Sequence, residues 1–272
     1  MLKLPELNSE YKLTHDQISQ YQRDGHILLR NVCSKAEIAA FRSHIAAVVA
    51  QHAKKQKDLS ERDTYGKAFL QIGNLWKRNE AVKKFVFARR FAQIAARLAG
   101  ANAIQLYHDQ ALFKEGFGGL TPWHQDQFYW PLDTSQSLTL WMPLVDVSAS
   151  MGSMDFASGS HKNGRLKDIP ISDESDSYFK DYIKNHDFRI CPSGEMRAGD
   201  ATFHNGLTLH GAAANKTGQT REVMTIIYYP AGTKLLQPGN ANQQIDFNAF
   251  YPGLKPGHAA ANEQTPVLYS EP

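Results

Sequence analysis

The chain has 272 residues, enough for one large domain with a well-buried core. Hydrophobic residues make up 42% and charged residues 21%, which excludes a disordered chain, and a net charge of +3 without a basic run excludes a nucleic-acid-tracking surface. Two cysteines, Cys33 and Cys191, exclude a disulfide framework and a Cys-x-x-Cys zinc site.

Thr14 predicts a helix N-cap, with Gln17 three residues on and Gly25 at the expected C-terminus. His26 to Arg30 is apolar enough for a short strand. Ser34-Lys35-Ala36-Glu37 forms a second capping box, opening an amphipathic helix expected to run to about Lys55. Asn79 to about Leu98 reads as a further helix ended by Gly100, so the first hundred residues read as helical.

From Ala103 the period changes to two. Ala103 to Lys114 alternates, as does Ser137 to Asp146, where Leu138, Leu140, Met142 and Leu144 share a face. Glu222 to Tyr229 is dense in Val, Ile, Thr and Tyr and reads as a strand. Glycine-rich turn signals, among them Gly116 to Gly119 and Asn205-Gly206, punctuate these runs. The tail beyond Gly232, rich in Pro, Gly, Asn and Gln, reads as loop wrapped around a barrel. Helices first and short strands afterwards predict a mostly β sandwich or jelly roll braced by N-terminal helices. One domain is expected over residues 1–272, with helical support to about 102, a core at about 103–232 and a wrap at 233–272.

His124-Gln125-Asp126 is the only His-x-acid triplet. On a strand, residues i and i+2 point to one face, so an imidazole and a carboxylate would converge on one point. A second histidine from another strand would complete a two-His, one-carboxylate facial triad, which leaves positions open on iron(II). His204 and His210 compete for that place. The pattern favours His210, because Arg221 follows eleven residues later at the start of a strand, where a guanidinium can grip a carboxylate bidentately. Singly, each residue has a plainer reading: a packed or solvated histidine, a solvated arginine. Their order and spacing together carry the weight.

Pro122-Trp123-His124-Gln125-Asp126-Gln127, then Trp141 to Asp146, Gly159-Ser160-His161-Lys162, and His210-Gly211 with Asn215 and Arg221 resemble the phytanoyl-CoA dioxygenase family. The resemblance spans about Thr14 to Pro230 and is densest from Gln105 to Arg221. It implies a double-stranded β-helix, a jelly-roll variant, and an iron(II)- and 2-oxoglutarate-dependent dioxygenase that consumes O2, hydroxylates a small organic substrate and releases succinate and CO2.

Residue by residue, the resemblance implies His124, Asp126 and His210 as iron ligands and Arg221 as the partner of the far carboxylate of 2-oxoglutarate. Trp141, Gln110 and Thr121 are implied beside that co-substrate, while Gln127, Tyr129 and Trp130, which follow the metal strand, are candidates for the substrate side. The proline the family places before Gly-Ser-His is Ser158 here. The co-substrate lysine of some members has no secure counterpart, Lys67 being near but misaligned, and segment 69–76 is a candidate for the pocket wall. Related halogenases replace the acidic ligand with a small residue, so an intact Asp126 points to an oxygenase.

No Lys/Arg cluster suits a coenzyme A phosphate, leaving small organic acids, amino-acid derivatives, phosphonates and secondary metabolites open as substrates. The competing class is a non-catalytic cupin-like metal- or ligand-binding protein, which gives Arg221 no part to play. A zinc hydrolase is disfavoured, since no His-Glu-x-x-His motif couples a base to the site. No apolar run approaches the ~18 residues of a membrane span. Residues 1–6 lack the apolar region of a leader and the C-terminus carries no peroxisomal tripeptide, so a cytoplasmic location is the default expectation. Neither nucleic acid nor membrane is expected as a partner, and the oligomeric state is left open.

Overall fold

A computed structural model describes residues 4–53 and 57–271. In chain order the elements are α1 (His15–Asp24), β1 (His26–Leu29), α2 (Lys35–Ala53), α3 (Thr64–Ala68), β2 (Leu70–Gly73), α4 (Glu80–Val86), α5 (Arg89–Ala99), β3 (Ala103–Phe113), β4 (Thr121–His124), β5 (Leu138–Pro143) and β6 (Met154–Ala157). Then follow α6 (Asp173–Asn185), β7 (Ile190–Pro192), β8 (Ala201–Asn205), β9 (His210–Ala212), β10 (Val223–Pro230), α7 (Ala241–Phe250) and β11 (Val267–Ser270).

The helix signals hold. Thr14 and Gln17 form the reciprocal capping box of α1, and Gly25 closes it in the left-handed region at φ +77°. A side chain at Gly25 would also collide with His161 and Thr208, which pack against it. Ser34 and Glu37 exchange the same pair of bonds at the start of α2. Lys55, the expected end of that helix, lies outside the described residues.

The strands build two antiparallel sheets. The larger runs β1-β8-β5-β10-β3-β11, with β2 also paired to β3, and the smaller runs β4-β9-β6-β7. On β5 the alternation is as read from sequence: Leu138, Leu140, Met142 and the following Leu144 pack into the main core with Phe41 and Ile45 of α2, Phe85 of α4 and Phe91 and Ile94 of α5. The intervening Thr139 and Trp141 face the other way, toward the smaller sheet. This is the double-stranded β-helix, one sheet backed by helices and the space between the sheets left for a site.

Four local expectations are corrected. Leu70–Gly73, inside the region read as helical, is an edge strand on β3. The helix read from Asn79 to Leu98 is two, interrupted at Phe87 and Ala88, with Asn79 capping the first through Ala81 and Val82. Asp126 does not share a strand with His124; it opens a 3-10 turn just beyond β4. The tail is not all loop. It carries α7, capped by Asn240, and β11, which pairs with β3.

One irregularity shapes the interior. The β10–β3 register slips between Ile227 and Tyr228, whose partners are His108 and Leu106, so Tyr107 is an extra residue in β3. Leu106 faces the helices, while Tyr107 and His108 both face the opposite side. The bulge resets the alternation, and Gln110 and Leu112 then follow His108 into the interior.

Candidate active site

β4 and β9 are registered so that His124 stands opposite His210. His124 Nδ1 donates to the Pro122 carbonyl at 2.7 Å, and His210 Nδ1 donates to the Thr208 carbonyl at 2.9 Å. A carbonyl only accepts, so each bond fixes the ring proton on Nδ1 and leaves Nε2 with its lone pair. Asp126 Oδ1 lies 3.5 Å from Nε2 of His124 and 3.6 Å from Nε2 of His210. Three electron-rich atoms converge with no proton assigned among them. A cation reconciles them, and two imidazoles with one carboxylate are the donor set of a facial iron(II) site.

His204 occupies a different place. Its Nε2 sits 3.2 Å from Oδ2 of Asp126, the oxygen that also accepts the Thr139 hydroxyl at 2.8 Å. These contacts hold the carboxylate with Oδ1 turned to His124 and His210. Burial works against the Asp126 charge, and the hydrogen bond from His204 works for it, with the carboxyl held well below its ordinary range. Burial, reinforced by the neighbouring His124 and His204, holds His210 well below an ordinary imidazole, the neutral state a ligand needs.

Arg221 lies two residues before β10 and is only 1% exposed. Its guanidinium lies 5.2 Å from the Trp141 ring and donates to the Gly152 carbonyl, while its buried Nε has no partner. Among the described residues no carboxylate pairs with it, and burial alone brings it down to about 9. Directly opposite stands Lys114, fully buried, which donates to the Gly119 carbonyl and lies 3.3 Å from Thr121 Oγ1. Burial, then the neighbouring Arg221, pushes the Lys114 ammonium down to about 6. A desolvated guanidinium without an anion is costly, as is charging the lysine beside it, and an incoming carboxylate relieves both costs.

The triad and Arg221 line one cavity of about 220 Å³. Of the residues expected there, Trp141, Gln110, Thr121, Tyr129 and Trp130 line it as well. Phe69 and Gln71 bring segment 69–76 into the wall. Gln127 is not in the wall; its amide is spent on the Leu132 carbonyl and the Ser137 hydroxyl. Lys67 is also outside, contributing only a carbonyl to the Gly119 amide. The sequence reading missed Thr139, Lys114, His108 and Asp246. Lys114 had a signal, an ammonium at the end of an apolar strand facing Arg221. Asp246 had none beyond the cap that opens its helix.

The phytanoyl-CoA dioxygenase family profile matches residues 21–223. Phytanoyl-CoA dioxygenase 1 of Oryza sativa subsp. japonica is 23% identical over 248 residues, covering 79% of this chain and 88% of that protein. The structure of the non-heme alpha ketoglutarate dependent carbocyclase SnoK from nogalamycin biosynthesis superposes with a TM-score of 0.75 at 25% identity, covering 94% and 96% of the two chains. The epimerase SnoN in complex with Fe3+, alpha ketoglutarate and nogalamycin RO gives 0.72 at 25% identity, covering 93% and 98%. The profile spans well over half of the chain and includes the converging His124, Asp126, His210 and Arg221, so the chain belongs to the phytanoyl-CoA dioxygenase family.

Proposed function

We propose that this protein is an iron(II)- and 2-oxoglutarate-dependent dioxygenase that hydroxylates a small organic molecule and releases succinate and CO2, with His124, Asp126 and His210 holding the metal. The observation that carries the reading is Arg221. A fully buried guanidinium with an unpartnered Nε shares one cavity with the triad. The SnoN neighbour, which holds Fe3+ and alpha ketoglutarate, supports the same pairing of metal and co-substrate. Residues 1–272 act on this reading as one domain.

Iron(II), when bound, supplies the O2 activation that couples decarboxylation of the oxo acid to oxidation of a C–H bond. The protein's own residues prepare for it. Thr139 and His204 orient Asp126, and the Pro122 and Thr208 carbonyls orient the two imidazoles. Arg221, braced by Trp141 and Gly152, fixes the far carboxylate of 2-oxoglutarate, while Thr121 and Gln110 line the same stretch of wall.

The test is an anaerobic titration of 2-oxoglutarate into the iron(II) protein, followed by the visible charge-transfer band of the chelate. Removing one partner of a buried charge pair costs on the order of 2–5 kcal/mol, so Arg221→Ala should weaken 2-oxoglutarate about thirty-fold or more. Arg221→Lys should recover part of the loss, since an ammonium lacks the planar fork. An unchanged midpoint in Arg221→Ala would overturn the reading in favour of a metal-binding jelly roll without turnover.

A further inference from the structure

The cavity has two ends. Arg221, just before β10, and Thr225 and Ile227 on it line the cavity at increasing distance along the strand direction. At about 3.3 Å per residue, Ile227 stands roughly 20 Å from Arg221, well beyond the reach of a five-carbon diacid gripped there. At the Ile227 end His108 is its strand partner, Trp130 and Tyr129 pack in the same cluster, and Asp246 meets Tyr107 beside them.

Asp246 is the one carboxylate in the cavity wall apart from Asp126. It projects from α7, and its Oδ2 accepts the Tyr107 hydroxyl at 2.7 Å, the residue inserted by the β3 bulge. Among the described residues Oδ1 has no hydrogen-bond partner, and no lysine, arginine or histidine forms an ion pair with the group. Several partly buried carboxylates are paired with a cation, Glu37 with Arg90, Asp200 with Arg30 and Glu222 with Arg42, and the fully buried Asp109 is held by the Leu75 and Trp76 amides, whereas Asp246 accepts a single hydroxyl. Desolvating a carboxylate without a counter-ion is expensive, and accepting the Tyr107 bond would need only an amide.

Building on the dioxygenase reading, we infer that the substrate carries a basic nitrogen, an ammonium or amidinium, which pairs with Asp246 at the end of the cavity opposite Arg221. Its carbon skeleton then lies along Tyr129 and Trp130 and presents a C–H bond toward the triad. The two ends thus select opposite charges: the anionic co-substrate at Arg221, the cationic substrate at Asp246.

The experiment compares benzylamine with its neutral analogue benzyl alcohol, by ligand-observed NMR at pH 7.5. The full-length protein is used oxygen-free, with and without iron(II) and 2-oxoglutarate. The amine should bind about tenfold more tightly than the alcohol, an ordinary contribution for one partly desolvated charge pair. Asp246→Asn, which keeps an acceptor for Tyr107, should erase that preference while 2-oxoglutarate still binds at its parent midpoint. Equal binding of the two probes to the parent protein, or a preference that survives Asp246→Asn, would overturn the inference. Because the probes are also read without iron and co-substrate, a failure of 2-oxoglutarate to bind would sink the oxygenase reading separately.

Discussion

Thr139 donates its hydroxyl to Oδ2 of Asp126 at 2.8 Å, across from the oxygen that faces the two imidazoles. The contact turns a freely rotating carboxylate into an aimed one. Thr139→Val removes the bond at nearly constant volume. It should weaken iron(II) about 10–100-fold, the usual cost of losing a partner behind a metal ligand. Competition against a chelator of known affinity measures this; unchanged iron affinity would leave Thr139 a packing residue.

His204 and His210 should separate in the same assay. His210→Ala removes a ligand and should abolish iron binding at micromolar protein. His204→Ala removes only the brace on Oδ2 and should weaken binding about 10–100-fold while leaving it measurable. The reverse outcome would exchange their roles.

Lys114 predicts a pH dependence. Its ammonium is pushed down to about 6, so at pH 7.5 most molecules hold it neutral, and an arriving carboxylate favours the protonated form. Affinity for 2-oxoglutarate should therefore be highest near pH 6 and fall a few-fold per unit as pH rises toward 8, within the limit of tenfold that one linked proton allows. Lys114→Met should bind more weakly at pH 6 and show a flatter profile. Titrations at pH 6, 7 and 8 read both, and parallel slopes would remove Lys114 from the site.

Asp246 predicts a stability difference with the opposite cause. Burial raises its carboxyl to about 6, against the lowering effect of the Tyr107 bond. Below pH 4 the group is protonated in both folded and unfolded chains and its full contribution is present. As pH rises through 6 the unfolded chain has already released its proton, and about 3 kcal/mol of stability is lost. Asp246→Asn should therefore match the parent in urea denaturation at pH 4 and exceed it at pH 7.5. A gap that does not change with pH would show that Asp246 is solvated in the folded protein.

What could be read from the chain was whatever is written locally. The boxes at Thr14 and Ser34 hold because cap and partner lie three residues apart. The β5 alternation survives because each residue contributes independently to one face. His210 and Arg221 were readable through spacing. Asp126 was misplaced because period-two reasoning cannot see the strand end between it and His124. Helix α7 was hidden because Gln243, Phe247 and Phe250 are its only buried residues, set in a tail rich in Gly and Pro. The meeting of Tyr107 with Asp246 spans 139 residues and depends on a register slip, for which no local pattern exists.

That slip makes β3 two half-strands with separate phases. A deletion of Tyr107 would not merely shorten the strand; it would force one half to turn its side chains over. Either His108, Gln110 and Leu112 would leave the cavity, or Ile104 and Leu106 would leave the helix-backed core. Substitutions at Tyr107 or His108, by contrast, change the lining at one end and leave the phase that places Gln110 and Lys114 intact. The scaffold can thus be refitted for a different substrate by exchanging side chains near the bulge, whereas changing its length there would dismantle both ends at once.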